Sequence, residues 1–355
     1  MESKVIKREE TKVIKIGGVP VGGSHPIVIE SMTNTETRNI DATVAQIREL
    51  QEAGCEIIRV AVLDKVAAAA IKQIKQQISI PLIADIHFDY RLALLAVENG
   101  ADKLRINPGN IGDESRVRQV VEAAKASDIP IRVGVNGGSL EKGLLAKYGG
   151  ITPEGLAESA LTNVGLLEKF GFYDIVVSAK ASNVPLLIET HKILAQQLTY
   201  PLHIGLTEAG THYNGAIRSA VGLGVLLNMG LGNTIRVSLS GDPVPEIAAA
   251  KEILKALGLR QFGVTVIACP TCGRTGMDVS GLALRLEDKL SHITKPLTIA
   301  VMGCAVNGPG EAKDADIGIA CGRGMAVLFK KGEIVRRVDE SELEKTLLEE
   351  IDTLH

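Results

Sequence analysis

The strongest constraint on the fold of this chain is a regular alternation of short apolar runs with amphipathic stretches. Eight runs have the length and composition of buried strands: 26–34, 56–62, 81–87, 103–109, 130–136, 174–180, 201–210 and 234–240. The stretches between them, such as YRLALLAVENG, have helical periodicity, and several end in glycine as helices often do. Eight strand–helix units within about 235 residues exceed the five or six strands of a doubly wound sheet. The pattern predicts an α/β fold of the (β/α)8 TIM-barrel type from about residue 24 to residue 258.

Two further segments flank the predicted barrel. Residues 11–23 alternate apolar and polar positions around Gly17 and Gly18, which predicts a hairpin. After the barrel come a helix at 280–291, the strands LTIAVMG and DIGIA, a hairpin turning at Lys331 and Gly332, and a last helix, SELEKTLLEEID. We therefore predict two domains, a barrel with its hairpin at 1–260 and a small α+β domain at 261–355.

Composition narrows the possible functions. The net charge of −3 and the aromatic content of 3% argue against a nucleic-acid-binding protein, which would be basic and would offer stacking surfaces. No apolar run approaches the roughly 20 residues of a membrane span, and MESKVIKREETK has no signal-peptide core. These features predict a cytoplasmic protein. In that reducing compartment the five cysteines are expected to be metal ligands or buried thiols.

Charged residues interrupt strands that a parallel barrel normally buries on both faces. Four runs share an apolar–Arg–apolar pattern and a fifth ends in lysine, which gives Arg59, Arg105, Arg132, Arg236 and Lys180. The ordinary alternative is internal pairing with Glu30, Asp85 or Glu208, but these carboxylates are too few for five cations. Barrel enzymes bind ligands at the carboxyl ends of their strands. Converging guanidinium groups at those ends predict a phosphate-rich ligand.

Neutral polar residues follow the same strands. Asn107, Asn136 and Ser238 come two to four residues after the arginines, where they can add hydrogen bonds to the same ligand. His87 follows Asp85 in ADIHF. Two interpretations of His87 stay open, a general acid or phosphate contact and a core histidine with satisfied hydrogen bonds.

Three cysteines lie among glycines and prolines in the C-terminal part of the chain. Cys269 and Cys272 form a C-x-x-C pair, and Cys304 follows in VMGCAVNGPGE. Three kinds of site fit this pattern. They are structural zinc completed by Cys321 or His292, a redox disulfide, which the third cysteine disfavours, and an iron–sulfur cluster.

An iron–sulfur cluster with three protein thiolates leaves one iron free to take an oxygen ligand. Glu311 carries the nearest carboxylate, although its spacing alone favours a solvent-facing turn residue. Cys55 and Cys321 have apolar neighbours and are predicted to be small buried side chains.

The motifs ESMTNT, ADIHF, RINPGN, RVGVNGGSL, ACPTCGRT and VMGCAVNGPGE together resemble the 4-hydroxy-3-methylbut-2-enyl diphosphate synthase family. These are iron–sulfur enzymes of the non-mevalonate isoprenoid pathway. The resemblance covers almost the whole chain, and the length matches the bacterial two-domain form.

The resemblance implies a [4Fe-4S] cluster in the second domain, held by Cys269, Cys272, Cys304 and Glu311, which reverses the interpretation of Glu311 from spacing. It implies reductive opening of 2-C-methyl-D-erythritol 2,4-cyclodiphosphate to (E)-4-hydroxy-3-methylbut-2-enyl diphosphate, with electrons from flavodoxin or ferredoxin. Its diphosphate-binding positions fall on Arg59, Arg105, Arg132, Lys180 and Arg236. Further motif positions fall on Asp85, His87, Asn136 and Ser238.

Glu208, on the seventh strand, is our candidate for delivering a proton to the departing hydroxyl. Two alternatives from other classes stay open: a non-redox iron–sulfur hydro-lyase acting on a phosphorylated metabolite, and a cluster-bearing metabolite sensor.

Chain geometry predicts a dimer. The eighth barrel helix has 15 residues, or about 22 Å at 1.5 Å per residue, so the chain leaves the barrel at the face opposite its mouth. A short connection then enters the second domain. We therefore expect a two-fold, head-to-tail homodimer with an active site formed in trans. The resemblance to the family also implies a head-to-tail dimer.

Overall fold

The computed structural model describes residues 4–304, 310, 312–322 and 325–354. The chain divides into two compact units, Met1–Arg260 and Gln261–His355. Among the helices of the described residues, none is long and apolar enough to cross a membrane.

The first unit contains a two-stranded hairpin and eight parallel strands. The strands are β1 (Ile14–Ile16), β2 (Val19–Val21), β3 (Val28–Met32), β4 (Ile57–Ala61), β5 (Leu82–Asp85), β6 (Lys103–Ile106), β7 (Ile131–Asn136), β8 (Ile175–Lys180), β9 (His203–Ile204) and β10 (Thr234–Ile235). The helices are α1 (Ile40–Ala53), α2 (Lys65–Lys75), α3 (Tyr90–Glu98), α4 (Glu114–Ala126), α5 (Lys142–Tyr148), α6 (Pro153–Lys169), α7 (Val184–Ala195), α8 (His212–Asn228) and α9 (Val244–Ala256).

The eight parallel strands form a closed barrel. Their hydrogen-bonded order is β8-β7-β6-β5-β4-β3-β10-β9. A parallel bridge between Val177 and Leu202 joins the two ends, and the Val177 N–H donates to the carbonyl of Pro201 at 2.9 Å. The predicted TIM-type barrel is confirmed. Two of its predicted strands, 201–210 and 234–240, shorten to the two-residue ladders of β9 and β10.

Side-chain caps start most of the barrel helices. After each of six strands, an Asn, Asp or Thr oxygen accepts a backbone N–H in the first helical turn, and these caps are Asn39, Asp64, Asp89, Asp113, Thr152 and Asn183. Such caps satisfy N–H groups that have no partner within the helix. They fix the point where the chain turns from strand to helix, which shapes the mouth of the barrel.

The β1–β2 hairpin covers the amino-terminal end of the barrel. Ile14, Ile16 and Val21 pack in one buried cluster with Val28 and Ile57, which begin β3 and β4. The hairpin that the sequence predicted around Gly17 therefore exists and closes the bottom of the barrel. The open end is the carboxyl end of the strands.

In its described residues, the second unit contains a mixed sheet and the helices α10 (Val279–Lys289) and α11 (Leu343–Asp352). The strands of the sheet are β11 (Val264–Ala268), β12 (Leu297–Met302), β13 (Ile317–Cys321), β14 (Met325–Lys330) and β15 (Glu333–Asp339). The first three strands are parallel, and the last two complete antiparallel pairs. One core cluster joins apolar residues of α10 and α11 to the sheet. The predicted hairpin turns at Lys331 and Gly332, which both have positive φ.

Candidate active site

A buried carboxylate lies at the centre of the barrel interior. Glu30 on β3 contacts Arg132 on β7, four strands away around the barrel, so both side chains point inward. Arg132 Nη1 donates to both Glu30 oxygens, at 2.7 and 2.8 Å. Lys103 Nζ, Arg59 Nη1 and His203 Nδ1 lie 3.5, 3.6 and 3.7 Å from the same carboxylate. Burial raises the pKa of Glu30, but these neighbours, led by Arg132, hold it well below its ordinary value.

A second carboxylate, Asp85 at the end of β5, orients two of the predicted arginines. Its oxygens lie 3.0 Å from Arg105 Nη1 and 3.5 Å from Arg59 Nε. Burial opposes ionisation, yet Arg59 and Arg105 lower the pKa of Asp85. Arg105 also donates to the carbonyl of Gly134 at 3.1 Å, and a Cβ at Gly134 would come within 2.2 Å of Arg105 Nε. Only glycine at this position leaves room for the arginine to lie across β7.

A third carboxylate holds the arginine that follows β10. Glu246, in the first turn of α9, lies 3.4 Å from Arg236 Nε and accepts from the Ser31 hydroxyl at 3.0 Å. The Met32 sulfur accepts from Arg59 Nε at 3.1 Å and from Arg236 Nη1 at 3.6 Å. A thioether orients both guanidinium groups without neutralising their charge.

Cations outnumber carboxylates in this interior. Among the described residues it contains six cationic side chains, Arg59, Lys103, Arg105, Arg132, Lys180 and Arg236, and three buried carboxylates, Glu30, Asp85 and Glu246. Charges of one sign in a low-dielectric space repel strongly unless a counter-ion is supplied. The interior is therefore electrostatically suited to an anionic ligand.

Several buried donors in the interior have no acceptor among the described residues. Arg132 Nε and Nη2 and Asn107 Nδ2 are buried without an acceptor in that part of the chain. Lys180 on β8 is 7% exposed and has three arginines as charged neighbours. Burial lowers the pKa of Lys180 well below its ordinary value, and Arg236, Arg59 and Arg132 add to the effect. Unsatisfied buried donors are costly, and an oxyanion would satisfy them.

A cavity of about 260 Å³ opens at the carboxyl ends of the strands. Its lining includes Arg105 on β6, Asn107 just after that strand, Asn136 at the end of β7, and His87 and Glu208 from two loops. The cavity thus brings four of the predicted site residues together with Asn107. Ser238, two residues after Arg236, is partly buried and is not part of this lining. Four of the five predicted cations are also outside the lining: Arg59, Arg132, Lys180 and Arg236.

Internal pairing was the alternative for the buried cations, and it describes part of the arrangement. Arg59, Arg105 and Arg132 do pair with Glu30 or Asp85. Glu208 was considered as a third internal partner, but it is exposed and adopts a φ of 56° in the loop after β9. His87 is also exposed, with Nε2 at 3.9 Å from Asp85, so it is not a core histidine.

Sequence reasoning missed four residues that shape this interior. They are Met32, Lys103, His203 and Glu246. The alternation of side chains along a strand offered a signal for two of them, because Lys103 precedes Arg105 by two residues and Met32 follows Glu30 by two. His203 and Glu246 had no comparable signal, since their burial depends on the packing of distant elements.

In the second unit, two predicted ligands, Cys269 and Cys304, follow the carboxyl ends of neighbouring strands. This end of the sheet, with Cys272, is called the cysteine edge. Cys269 and Cys304 come just after β11 and β12, which are parallel neighbours paired at Ala268 and Val301. The Gly303 N–H donates to Cys269 Sγ at 3.0 Å, a contact that stabilises a thiolate.

Cys272 is exposed. The Arg274 backbone N–H, helped by the Arg274 side chain, lowers the pKa of its thiol. Glu311, the fourth predicted ligand, lies outside the described residues. Within the described ranges, no group of three or more His, Cys, Asp or Glu side chains is gathered closely enough to hold a metal ion. The donor chemistry of the three free thiols nevertheless fits an iron–sulfur cluster.

The remaining cysteines are buried free thiols, as predicted. Cys321 ends β13 inside the core of the second unit, and burial raises its pKa to about 12. Burial likewise raises the pKa of Cys55 to about 12.

Comparisons with known proteins match both units. The family model "GcpE TIM-barrel domain" matches residues 11–251, and "GcpE protein C-terminal domain" matches residues 265–353. A 4-hydroxy-3-methylbut-2-en-1-yl diphosphate synthase (flavodoxin) from Caldanaerobacter subterraneus subsp. tengcongensis is 61% identical, over 98% of both chains. The protein of that name from Clostridium perfringens is 55% identical, over 98% of this chain and 100% of its own.

Among solved structures, dihydropteroate synthase from Stenotrophomonas maltophilia superimposes with a TM-score of 0.52 at 15% identity, over 70% of this chain and 98% of its own. Identity this low supports a common fold for the barrel and nothing about its chemistry.

Proposed function

The chain belongs to the GcpE family, and we propose that it catalyses the reaction for which its relatives are named, as an iron–sulfur oxidoreductase. It reduces 2-C-methyl-D-erythritol 2,4-cyclodiphosphate to (E)-4-hydroxy-3-methylbut-2-enyl diphosphate with two electrons. The structural observation that carries this assignment is the set of buried donors without acceptors in the barrel interior. These donors suit the diphosphate that substrate and product share.

The barrel residues bind the diphosphate in this proposal. Arg132 supplies two donors that have no described acceptor, and Lys180 adds a buried ammonium group. Arg59, Arg105 and Arg236 add guanidinium groups already oriented by carboxylates. Charge-assisted hydrogen bonds of this kind are about twice as strong as neutral ones. Asp85 acts through the arginines it holds, while Asn136, His87 and Ser238 add contacts at the mouth.

The cofactor that fits the second unit is a [4Fe-4S] cluster held by Cys269, Cys272, Cys304 and Glu311. When bound, it supplies single electrons and a Lewis-acidic iron. The hydrogen bond from Gly303 to Cys269 supports the assignment, because such bonds stabilise thiolate ligands.

Glu208 is the proposed proton donor to the departing hydroxyl. Its exposed carboxyl lines the cavity of the mouth together with Arg105 and Asn136, two of the residues assigned to the ligand. A proton donor must lie within hydrogen-bond reach of the leaving oxygen. The glutamine variant, Glu208→Gln, should keep substrate affinity and lose turnover.

The proposed electron donor is flavodoxin, which the names of the relatives print; ferredoxin is the alternative from the sequence. All five cysteines are free thiols, which is typical of a reducing compartment. The proposed location is therefore the cytoplasm.

A head-to-tail dimer completes the proposed site. Arg260, the last residue of the first unit, donates to the carbonyl of Ile27 at 2.7 Å and pairs with Glu56 at 2.7 Å. Ile27 and Glu56 precede β3 and β4, so the chain leaves the barrel unit at the amino-terminal end of its strands. The ligand site lies at the other end. A second copy can bring its cysteines to the mouth, which supports a two-fold dimer with sites formed in trans.

Complementation tests the dimer. An Arg132→Ala chain and a Cys269→Ser chain are mixed in equal amounts under conditions that allow exchange. With sites in trans, each mixed dimer has one intact site, and roughly a quarter of wild-type activity returns. No recovery despite demonstrated mixed dimers contradicts the trans site.

One assay separates the proposed reaction from its rivals. Protein purified without oxygen is incubated with the cyclic diphosphate and a reduced one-electron donor, and the allylic diphosphate is measured. The proposal predicts product only with reductant present. A hydro-lyase would turn over without reductant, whereas a sensor would bind the ligand and form no product.

A further inference from the structure

The deepest charged residues of the barrel have no place in the proposed chemistry. Glu30 and Lys103 are almost fully enclosed, at 1% and 0% exposed, and His203 beside them is also 0% exposed. An isolated buried charge costs free energy, so buried charges in folded proteins are usually paired or serve a function. The contacts of Glu30 indicate its role.

Glu30 connects strands on both sides of the barrel. Its carboxylate is in contact with Arg132 on β7, Lys103 on β6, Arg59 on β4 and His203 on β9. Arg132 uses a single nitrogen, Nη1, for both of its hydrogen bonds to Glu30. The other two nitrogens of the same guanidinium, Nε and Nη2, have no partner within the described residues. Glu30 therefore fixes the orientation of Arg132 without consuming its remaining donors.

We propose that Glu30 is a positioning residue for the diphosphate site, which holds the guanidinium groups of Arg132 and Arg59 in the orientation that binds the ligand. The inference rests on the proposed function for the identity of the ligand. In this role Glu30 contacts no substrate atom and acts only through Arg132 and Arg59.

A purely structural role for Glu30 makes a different prediction. In that case Glu30 would serve to balance the buried charge of Lys103, which lies 3.5 Å away. Burial lowers the pKa of Lys103 to about 7, and Glu30 opposes this shift. Removing both charges would then cost little, because buried ion pairs are often replaceable by neutral side chains of similar size.

Three variants separate the two roles. Glu30→Gln removes the carboxylate charge. The double variant Glu30→Gln/Lys103→Met also removes the charge of Lys103, a buried cation that has no contact with the ligand in the proposed function. Glu30→Asp keeps the charge but shortens the reach to Arg132 by one methylene. Glu56→Gln is the matched control, because it breaks an ion pair with Arg260 at the opposite end of the same barrel.

The probe is inorganic diphosphate, titrated calorimetrically into the full-length chain. Positioning predicts about tenfold weaker binding or more in all three Glu30 variants, and wild-type affinity within about twofold in the control. Assays with the cyclic diphosphate should show a matching rise in KM with kcat within about twofold, since the lost interaction holds substrate and transition state equally.

Wild-type diphosphate affinity in the folded double variant would overturn the proposal and leave Glu30 as the counter-ion of Lys103. If the two glutamine variants fail to fold, wild-type affinity in Glu30→Asp overturns it equally. The proposed function is tested separately by turnover of the unmodified protein, while the diphosphate titrations report on Glu30 whether or not turnover occurs.

Discussion

The barrel interior and the cysteine edge of the second unit hold their functional groups in different ways. In the barrel, cations on several strands are fixed by three buried carboxylates at 2.7–3.6 Å. At the cysteine edge, Cys269 accepts one backbone hydrogen bond, and Cys272 is exposed. The first site is built by side chains that restrain one another before any ligand arrives. The second presents thiols whose final arrangement depends on what they bind.

Because of this difference, we expect a mutation in one of the two sites to leave the other site intact. Ion pairs within the barrel belong to one compact unit, and the cysteines belong to the other. A mutation at the cysteine edge should abolish redox chemistry and leave anion binding intact. A mutation in the barrel should weaken anion binding and leave the iron content unchanged.

The largest expected effect is loss of the cluster. Cys269→Ser, Cys272→Ser or Cys304→Ser should each lose iron, brown colour and turnover, because a serine oxygen is a poorer ligand for iron than a thiolate. Iron and sulfide analysis of protein purified without oxygen measures the loss. Glu311→Ala should keep at least three irons and lose most activity. Full zinc occupancy without sulfide in the unmodified protein would disprove the iron–sulfur assignment.

A smaller effect is expected from the barrel cations. Arg132→Ala and Arg236→Ala should each lose about 1.5–3 kcal/mol of binding free energy, or tenfold or more in substrate affinity, because each removes a charge-assisted donor. The absorption spectrum of the cluster should not change. Unaltered affinity in both variants would mean that these arginines serve only as internal ion pairs.

A smaller change still is expected at Cys321, a matched control for the three cysteines proposed as ligands. Cys321→Ala should keep full iron content and lose about 1 kcal/mol of unfolding free energy, because the thiol packs in the core of the second unit. Iron analysis and thermal unfolding check this expectation. Loss of iron would make Cys321 a ligand of the cluster.

The smallest effect concerns protons. Burial and three neighbouring arginines lower the pKa of Lys180 well below its ordinary value, so part of this lysine is neutral at a pH where a free lysine is fully charged. A bound anion favours the charged form. Diphosphate binding should therefore take up a fraction of a proton, and affinity should fall as pH rises. Calorimetry in buffers of different ionisation enthalpy measures the uptake, which Lys180→Met should reduce. Equal uptake in that variant would contradict the assignment.

The sequence predicted the fold better than it predicted the site. Periodicity places every barrel strand, because burial on both faces leaves a clear apolar run. The lengths of β9 and β10, two residues each, were not predictable from the apolar runs, which extend beyond both strands. The helix α5 (Lys142–Tyr148) also had no clear signal.

Within the site, the arginines stood out because a charge in a buried strand is unusual. Their partners did not. Glu246 reaches Arg236 from a helix ten residues further along the chain, and Glu30 reaches Arg132 across the barrel. Which carboxylate holds which arginine is set by the closed barrel, and the pattern of one strand carries no information about it.

The most direct test of this account is the affinity for inorganic diphosphate of a full-length chain that carries Cys269→Ser, Cys272→Ser and Cys304→Ser together. Calorimetric titration compares it with the unmodified, iron-loaded protein. If the barrel is an anion site built independently of the cysteine edge, the two affinities agree within about threefold, or less than 1 kcal/mol. A loss of tenfold or more in the iron-free chain would contradict the account, because it would show that the diphosphate site depends on the cysteines.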